Sequence, residues 1–221
     1  IGLKDFPGMT IRAFIDRGWI YHGRVTVDKN PQSQAIRTHA KGLVFTQTEK
    51  DSSWSRPAMG DYIVVFRKPG DNLVPIKPDM SREEWILWAR PVWYAADYLP
   101  GTWASGSSDG RSKQSDPAGD MGIRETDTLN VAEARSEEDE RHIAPLQLGV
   151  IERCIRLWSN KGETVLSPFA GIGSEGYVSL LNGRQFVGCE LKPAYFNVGA
   201  KNLNRALQRR DGQMAFALQA D

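Results

Sequence analysis

A strand, a glycine-rich turn, a helix and a second strand follow one another between Thr164 and Leu191, and this order constrains the fold more than any other stretch. Thr164–Leu166 is short and apolar, Phe169-Ala170-Gly171-Ile172-Gly173 forms the turn, and Ser174–Leu181 is patterned as a helix. Gln185–Cys189 reads as a second strand, closed by Glu190. Gly171 and Gly173 let backbone approach a ligand closely, and the start of the following helix offers N–H groups to polar or anionic atoms. The acid lies about 20 residues beyond the turn, where a carboxylate can accept both hydroxyls of a ribose. The unit is suited to hold a nucleoside, although the glycines by themselves also suit a tight turn in an α/β domain.

The glycines lack the third member of a dinucleotide fingerprint and the lysine of a phosphate loop, so no dense phosphate site is indicated. Their surroundings are more specific. Ser167-Pro-Phe-Ala-Gly-Ile-Gly-Ser174, Gly183-Arg-Gln-Phe-Val-Gly-Cys-Glu-Leu191 and Pro193-Ala-Tyr195-Phe196 resemble the cofactor segment of DNA amino-methyltransferases. These enzymes transfer a methyl group from S-adenosylmethionine to adenine N6 or cytosine N4. The order of the blocks resembles the phage and bacterial branch in which the cofactor segment follows the catalytic one. Three further blocks keep that order: Gly18-Trp19-Ile20 running to Val25-Thr-Val-Asp28-Lys29-Asn30-Pro31, Gly60–Gly70, and His142-Ile-Ala-Pro145-Leu-Gln-Leu148. Gly60-Asp61 stands where the family usually has His-Glu, and Ser167 where an Asp is often found.

The resemblance implies a cofactor site made of Ser167, Phe169, Gly171, Gly173, Glu190 and Leu191. Phe169 would flank the adenosine, the Gly171–Gly173 backbone would approach the methionyl portion, and Glu190 would take the ribose. An acid at Glu190 also suits capping of a helix start before Pro193. The expected fold is α/β, a Rossmann-like S-adenosylmethionine-dependent methyltransferase with a mostly parallel sheet. The expected partner is DNA.

The family's catalytic loop, (Asp/Asn/Ser)-Pro-Pro-aromatic, does not occur in the sequence, so no catalytic residue is assigned. The expectation is a C-terminal fragment whose sheet lacks one central strand or closes by an unusual pairing. Either a DNA methyltransferase or a catalytically incomplete cofactor- and DNA-binding remnant fits this pattern. Expected divisions are residues 1–70 as the catalytic-half strands and helices, 71–140 as a variable DNA-recognition insert, and 141–221 as the cofactor half.

Composition bounds the rest. At 221 residues and 40% apolar, the chain can bury one good core. No apolar run approaches the ~18 residues of a membrane span and no signal peptide is evident, so a cytoplasmic protein is expected. Cys154 in a predicted helix and Cys189 in a predicted buried strand have no metal-ligand spacing, and no metal site is expected. Charge is uneven: residues 1–70 carry eleven Lys and Arg against six acids, and residues 71–145 eight against fifteen. The front cations Arg24, Lys29, Arg37, Lys41, Lys50 and Arg56 suit a phosphate-tracking face or an ordinary solvated surface.

Helices are expected over 7–17, 145–158 and 194–207, strands over 20–27, 41–48 and 61–67, and a last strand over 214–218. Residues 28–38 read as a polar connection, and Gly101–Gly122 as a long loop. The aromatics Trp85, Trp88, Trp93, Tyr94, Tyr98 and Trp103 suit a base-stacking wall or a helix docked through Trp85 and Trp88. The polar run Thr126–Asn130 suits a cofactor-facing edge or turn capping.

Overall fold

Why these residues take their shapes is clearest at the chain's capping signals. The computed structural model describes residues 4–95, 122–134 and 145–217. Tyr98, Trp103, His142 and most of the expected loop 101–122 lie outside the described residues. The chain divides into two compact units, Ile1–Leu73 with Trp85–Ile123, and Val74–Glu84 with Arg124–Asp221.

In the first unit, α1 (Phe6–Ile15) begins where the Asp5 carboxylate accepts the Gly8 N–H at 3.0 Å. It lays Phe14 on Phe66, ring on ring at 4.5 Å. β1 (Ile20–Val27) pairs antiparallel with β2 (Asp61–Arg67), from Ile20 opposite Arg67 to Val27 opposite Asp61, with an irregularity between Tyr21 and Gly23. A short β3 (Val92–Trp93) runs parallel to β1 on its other side. The core gathers there: Val27, Trp88, Trp93, Ala95 and Ile123 are all buried, and the Trp93 indole donates to the Trp88 carbonyl at 2.8 Å. Of the proposed Trp85–Trp88 pair in α4 (Arg82–Trp88), only Trp88 docks; Trp85 is half exposed.

Between β1 and β2 the structure corrects two expectations. Residues 31–38 are a helix, α2 (Pro31–Thr38), because the Asn30 side chain accepts the N–H groups of Gln32 and Ser33 and Pro31 opens the first turn. The expected strand over 41–48 is a 3-10 turn, Lys41–Leu43, followed by α3 (Phe45–Lys50). Its three consecutive apolar residues, Leu43-Val44-Phe45, are too short a run to fix a period, and no strand among the described residues pairs with them.

In the second unit, α5 (Leu148–Trp158), β4 (Thr164–Ser167), α6 (Ser174–Leu181), β5 (Gln185–Gly188) and α7 (Pro193–Ala217) follow in the alternating order of an α/β domain. β4 and β5 are parallel, Thr164 opposite Gln185 through Ser167 opposite Gly188. Ile151, Ile155 and Val178 form one buried cluster, and Ala134, Ile172 and Val198 another. The expected last strand is overturned: α7 carries on through Ala217, with no breaker after Leu207 except a tolerated Gly212. The expected α/β class stands, and among the described residues its strands form a three-stranded sheet with one antiparallel and one parallel pairing in the first unit and a two-stranded parallel sheet in the second.

Candidate functional site

β4 delivers the chain to the glycine turn and β5 delivers the acid. Their ladder continues past both strands, since Cys189 N–H donates to the Ser167 carbonyl at 2.9 Å and Ala170 N–H to the Cys189 carbonyl at 2.8 Å. That pairing places Glu190 against the turn. Its Oε2 accepts the Gly171 N–H at 2.8 Å, and its Oε1 accepts the Lys192 N–H at 2.9 Å just before α7. Glu190 therefore does cap the approach to a helix, and it also clamps the glycine turn. Each carboxylate oxygen has a second lone pair beyond the one in use.

Gly171 and Gly173 both have positive φ, 53° and 81°. Gly173 is the N-cap of α6 and, as a glycine, supplies no side-chain cap to that helix start. A Cβ at Gly173 would lie 3.2 Å from the Cα of Gly199, whereas one at Gly171 would meet nothing within 4 Å among the described residues. The turn is thus packed on one side and open on the other. The packed side is α7: Gly199 lies against Gly173, and buried Asn202 donates its Nδ2 to the Ile172 carbonyl at 2.8 Å. Sequence reading missed Gly199 and Asn202, which stand over 25 residues downstream of the turn. The available signal was a glycine and an asparagine three apart in a helix otherwise rich in long side chains.

Of the six expected site residues, the structure gathers Gly171, Gly173 and Glu190 around the turn. Ser167 is buried at the end of β4, while Phe169 and Leu191 are 87% and 98% exposed. The sheet face beyond them is apolar and open, with register partners Leu166 and Val187 at 65% and 52% exposure. Cys189 lies two residues after Val187, on the same side of the strand, and is exposed, which overturns its placement in a buried strand. Cys154 in α5 is half-buried, and burial pushes its thiol up to about 12.

Two cavities in this unit lie away from the six residues. One, of about 410 Å³, is bounded by Leu146, Ile151, Trp158, Val165 and Glu175, and burial raises the Glu175 carboxyl above its ordinary value. The other, about 370 Å³, lies among Asp127, Glu152, Tyr177 and Arg209. Thr126–Asn130 serves in part as capping, with Asn130 Oδ1 accepting the Ala132 N–H at 2.9 Å.

In the first unit, Lys29 leaves the list of solvent-facing cations. Its ammonium is buried and paired with the Asp61 carboxylate at 2.8 Å. Gly60 beside it has no room for a side chain, since a Cβ would fall 2.7 Å from Thr26 Cγ2 and 2.9 Å from the Val27 carbonyl.

Comparison with known proteins places this geometry in context. The model of a DNA methylase family, the N6/N4 type, matches residues 7–201. The type II methyltransferase M.BglI of Bacillus subtilis is 26% identical over 144 residues, which is 65% of this chain and 30% of that protein. The DNA adenine methyltransferase YhdJ of Escherichia coli is 36% identical over 70 residues, 32% of this chain and 24% of its own. The aligned part is thus less than a third of either relative's length. A candidate DNA modification methylase from Thermus thermophilus, solved with S-adenosyl-L-methionine, superposes with a TM-score of 0.53 at 18% identity. That match covers 91% of this chain and 61% of the other, and shows a shared α/β fold.

Proposed function

Because the chain belongs to the N6/N4 DNA methylase family, we propose that it holds S-adenosylmethionine at the Gly171–Gly173 turn and serves methyl transfer to an exocyclic amine, adenine N6 or cytosine N4, in DNA. The single observation that carries this reading is the Glu190 clamp: an acid at the end of β5, bonded to the Gly171 N–H, beside a turn that is open on one side. The residues present fit the cofactor. Phe169 and Leu191 offer exposed apolar surface to an adenine, Glu190 retains acceptor capacity for ribose hydroxyls, and Ser167 anchors the strand that leads into the turn. The start of α6, whose N-cap is a glycine, offers N–H groups to the polar methionyl end.

The bound cofactor supplies an electrophilic methyl group. What the protein contributes to such a reaction is alignment and a water-poor setting, since the amine is a weak nucleophile while conjugated to its ring. The sequence contains no Pro-Pro-aromatic loop, so no residue in it is assigned to hold the target amine. That same observation favours a second reading, in which this chain binds cofactor and DNA without performing the transfer alone. Residues 71–140 are the proposed DNA-recognition insert, supported by their position between the family-like blocks.

Calorimetric titration of S-adenosylmethionine separates these possibilities from an unrelated fold use. Binding that Glu190→Gln weakens, in a variant that still melts cooperatively, supports the cofactor site. A folded chain that takes up no cofactor sinks it. Radiolabelled methyl transfer to DNA then separates enzyme from binding remnant.

A further inference from the structure

The segment between α2 and β2 presents aromatic surface that folding does not use. Across residues 31–58 only Gln34 is buried. Phe45 is 72% exposed, Trp54 74% and Ile36 77%. Two large aromatics left open to this degree in one short and otherwise polar stretch of chain suit an interaction surface.

The backbone that carries these rings is braced. Gln34 clamps the chain at Met59 through two hydrogen bonds, Nε2 to the Met59 carbonyl at 2.8 Å and Met59 N–H to Oε1 at 2.9 Å. Arg56 N–H donates to the Gly42 carbonyl at 3.1 Å, tying the turn before α3 to the segment after Trp54. Thr48 and Ser55 share a hydroxyl bond at 2.8 Å, and the Asp51 carboxylate accepts from both the N–H and the hydroxyl of Ser53. Phe45 at the start of α3 and Trp54 in the 3-10 turn Ser52–Trp54 therefore belong to one braced excursion.

Its charge selects the partner. Arg37, Lys41 and Lys50 are exposed and make no ion pair among the described residues. With Arg56 they outnumber the acids of 31–58, which are Glu49 and Asp51. The centre of a protein–protein interface is depleted in lysine, whereas cations interleaved with open aromatic faces match phosphates and bases together. We propose that the excursion 31–58 is a DNA-contacting surface, on which Phe45 and Trp54 stack against bases while Arg37, Lys41 and Lys50 hold the flanking phosphates. This rests on the DNA-methylase reading for its partner, and it places a DNA contact outside the 71–140 insert.

Fluorescence anisotropy of the whole chain with a labelled mixed-sequence duplex, repeated over a range of salt, tests it. Phe45→Ala/Trp54→Ala is expected to weaken binding by about fivefold or more, the loss of stacked bases, with Phe45→Tyr/Trp54→Phe recovering most of it. Lys41→Gln/Lys50→Gln is expected to lower the slope of log affinity against log salt by about two. If both variants fold, by circular dichroism, and bind as the parent does, the inference fails while the methylase reading stands. Patch-dependent binding without cofactor uptake or methyl transfer leaves the inference standing and removes the enzyme reading. A folded parent chain that binds no DNA overturns both. Sedimentation that shows self-association abolished by Phe45→Ala/Trp54→Ala, with DNA affinity unchanged, assigns the surface to a second copy and overturns the inference.

Discussion

Glu190 takes backbone donors on both carboxylate oxygens, so its removal does more than delete a ligand contact. Glu190→Ala leaves the Gly171 N–H without its acceptor and is expected to loosen the turn, whereas Glu190→Gln retains one acceptor oxygen. Cofactor titration and melting measured together should show Ala losing both stability and affinity, and Gln losing chiefly affinity. Gly173 is constrained twice, by a φ of 81° and by the Cα of Gly199. Gly173→Ala should destabilise the protein by about 1–3 kcal/mol, read as a lower midpoint in denaturant, and abolish cofactor binding. Gly60 is constrained by space alone. The departure from His-Glu at 60–61 therefore has a local reason, because only glycine clears Thr26 while Asp61 still reaches buried Lys29.

Elements were legible where the sequence marks its own ends. β1, β2 and α6 stand where hydrophobic patterning placed them, and β4 and β5 within a residue, because apolar runs there are bounded by glycine, proline or charge. α2 carried equally clear punctuation in Asn30-Pro31, an N-cap followed by the residue that best starts a helix, and the polar composition of 32–38 concealed it. Asn30→Ala should cost about 1 kcal/mol by denaturant titration, with the loss localised to α2 in amide exchange. The stretch 41–48 was misread for a different reason. A few exposed apolar residues have no period of their own, and what they face decides their structure.

The second unit is closed by contacts between residues far apart in the chain. Buried Arg184 donates to Asp79 at 2.6 Å, to the Asn182 carbonyl at 2.7 Å and to the Ser159 carbonyl at 2.6 Å. Asp79 also lies beside Arg156, which bonds Glu84 and Glu152. Burial raises the Asp79 carboxyl, but the Arg184 hydrogen bond and the charges of Arg184 and Arg156 outweigh it and hold the group below its ordinary value. Its folded-state value is depressed, so it adds stability above the usual carboxylate range that is lost as pH falls. Asp79→Ala leaves Arg184 buried and uncompensated, at an expected cost of about 3–5 kcal/mol near neutrality. The gap between parent and Asp79→Asn should narrow as acid titration passes below the carboxylate range. Glu175 has the opposite sign. Burial raises its folded value, so its ionisation opposes folding as pH rises, and Glu175→Gln should gain stability at neutral pH but not in acid.

At this scale no helix among the described residues is long and apolar enough to cross a membrane. The sequence by itself determined the strand–turn–helix–strand order, the glycines and the acid of the candidate site, because spacing and punctuation are local properties of a chain. Tertiary structure alone decided that Gly199 and Asn202 brace the turn, that Lys29 is a buried partner of Asp61, and that Asp79 meets Arg184. Those contacts depend on which distant surfaces the packing brings together, and no local period encodes that choice.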